Sequence, residues 1–419
     1  MAAVILSIVE QHAEEAAFLW LLRDRAVHAP HYSLKDLAKI DNRVEAHIDG
    51  ILIASDEGWE LCKGALKQEE VGELFLASVL AFDSGDETRI QTVLEVGSIE
   101  PELSRGIVSS LGWLPYAQAE AHIRKLLNAE SYELQRVGIA ASAIHRQDPG
   151  RPVADALAND DALLKTCALK AVGELGRKDL LPTVLEHLFA EDQECRFYAA
   201  WSAAVLGSSA GVPGLCDVAK AGRPYSERAC SMAFRRMDLP DGHSWVRELA
   251  GDPARQRLAV TGAGALGDLA SIPWLIENMV VPKLARVAGE SFTMITGVDI
   301  AYEDLEGEWP EGFEAGPTEN PEDEDVALDP DEDLPWPNPE LIDQWWSKNK
   351  SRFRSGTRYL LGKPISVEQC QHVLRYGYQR QRTAAAIELA MLQPGQPLFE
   401  VRAPGFRQQQ MLGLKTRKT

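Results

Sequence analysis

The chain has 419 residues, 45% hydrophobic and 25% charged, a balance that excludes a disordered or fibrous class and fits a folded chain. Its formal net charge of -20 argues against general attraction to nucleic-acid phosphates or anionic lipid. The charge is uneven: Glu303 to Asp333 holds 15 acidic residues and no Lys or Arg, so the remainder is only mildly acidic. The six cysteines, Cys62, Cys167, Cys195, Cys216, Cys230 and Cys370, show no C-x-x-C spacing and no disulfide-framework density, which fits a reducing compartment. Met1 to Val9 lacks a signal-type basic and apolar pattern, and no apolar run reaches the roughly 20 residues of a membrane helix. A cytoplasmic location without a membrane partner is the expectation.

Residues 1–71 read as a helical N-terminal cap. Ile8 to Val27 is amphipathic around Phe18, Leu19, Leu21 and Leu22. Ser33 stands where a cap would, before Leu34, Leu37, Ile40, Val44 and Ile48 at helical spacing.

Residues 72–300 carry a repeat. Leu163 to Gly176 and Glu194 to Gly207 are two copies of one pattern, and Leu175 and Leu206 mark its period. Similar steps reach Met237, Leu266 and Ile295 in one direction, and Ile144 and Leu111 in the other. Seven residues before most markers stands a small residue (Ala168, Ala199, Cys230, Ala259, Ala288). Four before stands another (Ala140, Ala171, Ser202, Ala233, Gly262, Ser291). Both fall on one helical face, where a neighbouring helix can approach closely. Pro152, Pro182, Pro213 and Pro273 each open an amphipathic first helix, as proline does at a first turn. Asp160-Asp161, Glu191-Asp192 and Gly251-Asp252-Pro253 mark the turns to the second helices. This period and its phased positions resemble the HEAT repeat family. The resemblance implies an all-α, right-handed α-solenoid of about six to seven helical hairpins with helical N- and C-terminal caps.

A narrower resemblance rests on His12-Ala13-Glu14-Glu15-Ala16-Ala17-Phe18-Leu19-Trp20 and Asp41-Asn42-Arg43-Val44-Glu45-Ala46-His47-Ile48-Asp49-Gly50. Asp329-Pro330-Asp331-Glu332-Asp333-Leu334-Pro335-Trp336-Pro337 and Tyr359-Leu360-Leu361-Gly362 extend it. These stretches resemble a proteobacterial family of uncharacterised HEAT-repeat proteins, often encoded near type VI secretion components and their toxin cargo. The resemblance brings no catalytic residues. It implies an accessory role in loading or neutralising a secreted effector.

Residues 301–337 form an acidic stretch with Pro310, Pro317, Pro321 and Pro330 and few aliphatics, expected as a mobile loop. Trp309, Phe313 and Trp336 are expected to pin it to the array. Its charge reads as a solvated linker, or as a polyanion mimic on a basic surface of a partner or of the C-terminal part. Asp329, Asp331 and Asp333 alternate as calcium ligands do, but Pro330 and the missing Gly and distal Glu depart from the EF-hand pattern. Residues 338–419 are opposite in sign: Lys348 to Lys418 holds 14 Lys or Arg against Glu368, Glu388 and Glu400. A basic C-terminal capping module is expected, its cations balancing the acidic stretch before it. Interleaved Trp345, Trp346, Phe353, Tyr359, Tyr376 and Tyr378 give a nucleic-acid patch as the competing reading.

No catalytic constellation stands out. His28 and His31 lack further ligands at metal spacing, and there is no H-E-x-x-H, P-loop or G-x-S-x-G motif. The glycines of Gly262 to Gly267 fall inside a repeat helix, where small residues serve packing. No catalytic residue, cofactor, metal or small-molecule substrate is expected. The sequence reading is a non-enzymatic scaffold gripping another protein: an adaptor or chaperone for a type VI effector or its spike-tip carrier. An immunity protein neutralising a toxin is the alternative. A HEAT-type nucleic-acid-binding protein or DNA glycosylase-like enzyme is the more distant one. Arg196, Tyr198, Arg228 and Arg257, near the starts of second helices, are the candidate partner contacts.

Overall fold

The computed structural model describes residues 4–222, 224–316 and 329–414, which are predominantly helical. The chain forms two compact units. The first comprises Met1–Val184, Arg375–Ala386 and Pro394–Thr419, the second Leu185–Leu374 and Ile387–Gln393. The boundary after Val184 falls within the stretch 72–300.

The first unit opens with α1 (Leu6–Ala26), α2 (Leu34–Ile53) and α3 (Ser55–Ala65). Ser33 caps α2 in a capping box: its hydroxyl accepts from Asp36 N, and the Asp36 carboxylate accepts from Ser33 N. Next come α4 (Val71–Ser84), α5 (Glu87–Gly97), α6 (Ser104–Trp113), α7 (Tyr116–Leu127), α8 (Tyr132–Ile144), α9 (Arg151–Leu157) and α10 (Ala162–Leu175). α4 packs on α6, α6 on α8 and α8 on α10, while α5, α7 and α9 each lie against the helix that follows. After α11 (Leu181–Glu186), the second unit repeats this alternation through α12 (Gln193–Val205), α13 (Val212–Lys220), α14 (Ser226–Arg236), α15 (Leu239–Ala250), α16 (Gln256–Leu266), α17 (Ile272–Asn278) and α18 (Pro282–Thr296). α12 packs on α14, α14 on α16 and α16 on α18. The turn acids are caps: Asp161 accepts from Leu164 N at 2.7 Å and Asp192 from Cys195 N at 2.7 Å.

Small residues set these contacts. Ala168, Ala199, Cys230, Ala259 and Ala288 are fully buried on the second helices. A side chain added at Gly262 of α16 would strike the Phe234 ring of α14, and one at Gly264 would meet Ser291 of α18. Packing thus accounts for both glycines.

The last elements are α19 (Pro339–Asn349), the strands β1 (Tyr359–Leu360) and β2 (Lys363–Pro364), which pair antiparallel, then α20 (Val367–Tyr376), α21 (Gln379–Leu392) and α22 (Gly405–Met411). In each unit these C-terminal residues lie on the C-terminal ends of second helices, where carbonyls lack intrahelical partners. In the second unit Tyr359 N donates to Gly267 O at 2.8 Å, Leu361 N to Met294 O at 2.8 Å and Gly362 N to Ile295 O at 3.0 Å. Arg358 donates to Arg235 O at 2.9 Å and Leu266 O at 3.0 Å, and pairs with the buried Glu388 carboxylate. In the first unit Leu398 N donates to Glu174 O at 2.9 Å, and Arg407 donates to Gly112 O, Trp113 O and Leu114 O at 2.8 to 3.0 Å. The approach is closest at left-handed glycines just past the helix ends: Gly176 meets Gln396 O and Gly267 meets Tyr359 O. Sequence reasoning pairs the C-terminal cations with the acidic stretch. Arg358 and Arg407 instead serve helix ends, where the dipole favours positive charge.

Two glycine substitutions should move stability in opposite directions. Gly262→Ala should destabilise by about 1–3 kcal/mol despite alanine's better helix propensity, because its Cβ overlaps Phe234. Gly64→Ala, in α3 with nothing within 4 Å, should stabilise by roughly 0.5–1 kcal/mol. Urea unfolding of the two variants checks both signs.

Candidate functional site

A cavity of about 260 Å³ opens in the first unit between α1, α6, α8, α10 and residues 400–404. Helical periodicity builds its walls. Arg105, Val108, Ser109 and Gly112 line one face of α6, Ala140, Ala143 and Ile144 one face of α8, and Cys167, Lys170, Ala171 and Glu174 one face of α10. The small residues leave the space open. Ala140 and Ala171, legible in sequence as packing positions, are also cavity wall. Trp20 and Trp113 contribute aromatic lining, and both pack on Phe75, stacked at 4.8 Å and edge-on at 5.4 Å.

Charges of both signs meet here. Arg23 is buried, its Nε 3.0 Å from Asp41 Oδ1, its Nη2 donating to Arg402 O and its guanidinium 5.7 Å from the Trp113 ring. Asp41 also accepts from Gly405 N. Burial pushes the Asp41 carboxyl up against the opposing pull of Arg23. Asp24 pairs with Arg105 at 3.0 Å and Arg402 at 3.6 Å, and Lys170 lies 3.8 Å from Glu174. Glu400 pairs with Arg146 at 3.0 Å and accepts from Arg402 N at 2.9 Å. Burial alone would raise the Glu400 carboxyl; the Arg146 and Arg402 cations, with that N–H, outweigh it and hold it below the ordinary carboxylate value. Arg105, Arg402 and Lys170 keep over a third of their side chains exposed, each within ion-pair distance of Asp24 or Glu174. Burial raises the lining Cys167 thiol to about 11, which keeps it a thiol at neutral pH.

Sequence reasoning missed this cavity because Arg402, Ala403 and Pro404 come from the far end of the chain. The clue available was the face of Ser109, Ala140 and Ala171 on successive second helices.

The four residues singled out from sequence lie in the second unit; Tyr198 and Arg228 come together, while Arg196 and Arg257 have partners of their own. Arg196 Nη1 donates to Ala190 O at 2.6 Å and Glu191 O at 2.7 Å, closing its own preceding turn. Tyr198 is buried among Phe197, Trp201 and Tyr225. Arg228 joins that cluster, its guanidinium 5.3 Å from the Phe197 ring and 5.7 Å from those of Tyr198 and Tyr225. Tyr225 Oη donates to Glu194. Arg257 lies elsewhere, bidentate to Asp331 and 3.1 Å from Glu227.

At the two ends of the acidic stretch, Trp309, Phe313 and Trp336 cluster at 5.0 to 5.7 Å, with Arg286 of α18 over both indoles. Residues 317–328 lie outside the described part. Asp329 and Asp331, in alternating register, face arginines. Among the described residues no group of three or more His, Cys, Asp or Glu is placed to hold a metal ion, and no helix is long and apolar enough to cross a membrane.

Comparison with family models, with curated proteins and with solved structures finds no match.

The Glu400 environment fixes a pH dependence. A carboxyl held below its ordinary value contributes stability that is present above the unfolded-state value and lost as pH falls through the folded one. Glu400→Gln should therefore cost about 1.5–3 kcal/mol near pH 7, the gap to the parent closing below the ordinary carboxylate range. Urea unfolding of both proteins from pH 7 down to pH 3 measures it.

Proposed function

We propose that the chain is a non-enzymatic protein-binding scaffold whose stacked hairpins are HEAT-like repeats of a right-handed α-solenoid. The observation that carries this reading is the cavity of the first unit. It combines a wall of small residues from three successive second helices, lining tryptophans and the part-exposed cations Arg105, Lys170 and Arg402. Such a pocket suits a protruding partner side chain or chain end bearing both apolar surface and polar charge. The resemblance seen in sequence makes a type VI effector or its spike-tip carrier the first partner to test, with the chain as adaptor or chaperone in the cytoplasm. An immunity protein that neutralises a toxin is the second.

Ser109→Trp and Ala140→Trp fill the cavity from half-buried positions. In pull-downs from the native host, each should reduce partner recovery at least about tenfold, the loss expected when a central pocket is blocked, with little change in thermal stability. Recovery of the same partner by both variants would remove the cavity from the interface. An adaptor is required for delivery of the effector and gives no protection, whereas an immunity protein rescues cells producing the toxin. Recovery of nucleic acid alone, lost with rising salt, would overturn the protein-binding reading.

A further inference from the structure

The segment between α18 and α19 closes at its neck and then returns to the repeats. Gly307 N donates to Trp336 O at 2.8 Å and Asn338 N to Leu305 O at 2.9 Å, so residues 305–307 and 336–338 form that neck. Beyond it, Asp329 and Asp331 reach Arg286 of α18 and Arg257 of α16, near the starts of those helices. Both Nη atoms of Arg257 donate to the Asp331 carboxylate at 2.7 Å, a planar fork-to-carboxylate fit. Arg286 Nη2 lies 2.6 Å from Asp329 Oδ2, and its Nη1 donates to the Asp331 carbonyl at 2.7 Å. Asp331 is 4% exposed and Arg286 3%.

This strap is additional to what joins the helices. α16 and α18 already meet through Gly264 against Ser291, whose hydroxyl donates to Val260 O at 2.9 Å. Among the described residues, the corresponding cations of α12 and α14 meet no acidic strap. Arg196 serves its own turn, and the exposed Arg228 lies over three rings. The strap is thus a pair of carboxylates supplied by the chain between α18 and α19, seated on two arginines spaced for alternate carboxylates. Arg257 also keeps an outer edge toward the exposed Glu227, which leaves a path of approach from solvent.

We propose that the starts of α16 and α18 are a binding site for an acidic protein segment with two carboxylate residues separated by one other residue, and that Asp329 and Asp331 are its resident occupant, displaced when a partner's segment competes. The site then takes partners that present an Asp-x-Asp pattern, and the chain's own strap sets the threshold for them. The proposal is independent of the first-unit cavity, so its failure leaves that reading standing.

The probe is a fluorescein-labelled peptide, Leu-Asp-Pro-Asp-Glu-Asp-Leu, titrated by anisotropy against the full chain and its Asp329→Asn/Asp331→Asn variant. An occupied site lowers apparent affinity by the fraction that is open. The variant should therefore bind at least about tenfold more tightly than the parent. Adding Arg257→Gln should abolish binding, and a peptide with its first two aspartates changed to asparagine should not bind. Equal affinity for parent and variant, or binding that survives Arg257→Gln, overturns the proposal. Should the variant lose its native circular dichroism, hydrogen exchange on the unaltered chain decides. Faster exchange of the Asp331 and Leu334 amides at saturating peptide supports displacement, and unchanged exchange refutes it.

Discussion

The constraint on which both units depend is the satisfaction of carbonyls at the ends of the second helices. Stacked helices on small residues solve the problem of burying apolar faces, but every helix ends with acceptors that its own backbone does not fill. Here one run of chain after α19 supplies many of the donors. Backbone amides at Tyr359, Leu361, Gly362 and Leu398 take some of them, and the forked guanidiniums of Arg358 and Arg407 take several each. Arginine suits the task because five donors in a fixed plane reach neighbouring carbonyls at once. Left-handed glycines such as Gly176 and Gly267 leave the room this approach needs, since a Cβ at either would collide with the passing backbone.

Much of the helical plan was legible in the sequence, because each of its signals is local. Ser33 before an amphipathic run, proline at a first turn and acids ahead of second helices each have one dominant physical use, and the helices begin where those residues stand. The phased small residues were equally readable, since burial of Ala168, Ala199 and Ala259 follows from their spacing. The candidate site was not, because its closing residues have no local signal. Nothing about Glu400 or Arg402 in sequence points to Arg146 or Asp24, and only the fold brings them together.

The recurrent arginines show the same limit in another form. They occupy similar places on successive helices, which invites a single explanation, yet each meets a different environment. Arg196 binds carbonyls, Arg228 stacks on rings, and Arg257 and Arg286 take carboxylates. A guanidinium accepts all three because it is planar, weakly hydrated and always charged. Its position in a repeat therefore fixes where it stands and leaves open what it holds. Likewise the acidic stretch reads in sequence as a solvated linker, while Asp329 and Asp331 are two of its best-buried charges among the described residues.

The order in which a ribosome makes these parts gives the C-terminal contacts a temporal meaning. Leu398, which accepts from Arg146, is synthesised 252 residues after it. While the nascent chain grows, α6, α8 and α10 can fold with their ends still hydrated and with one wall of the pocket missing. The cavity is thus completed only by nearly the last of the described residues to emerge, so an interrupted translation product would carry the helices without the receptacle.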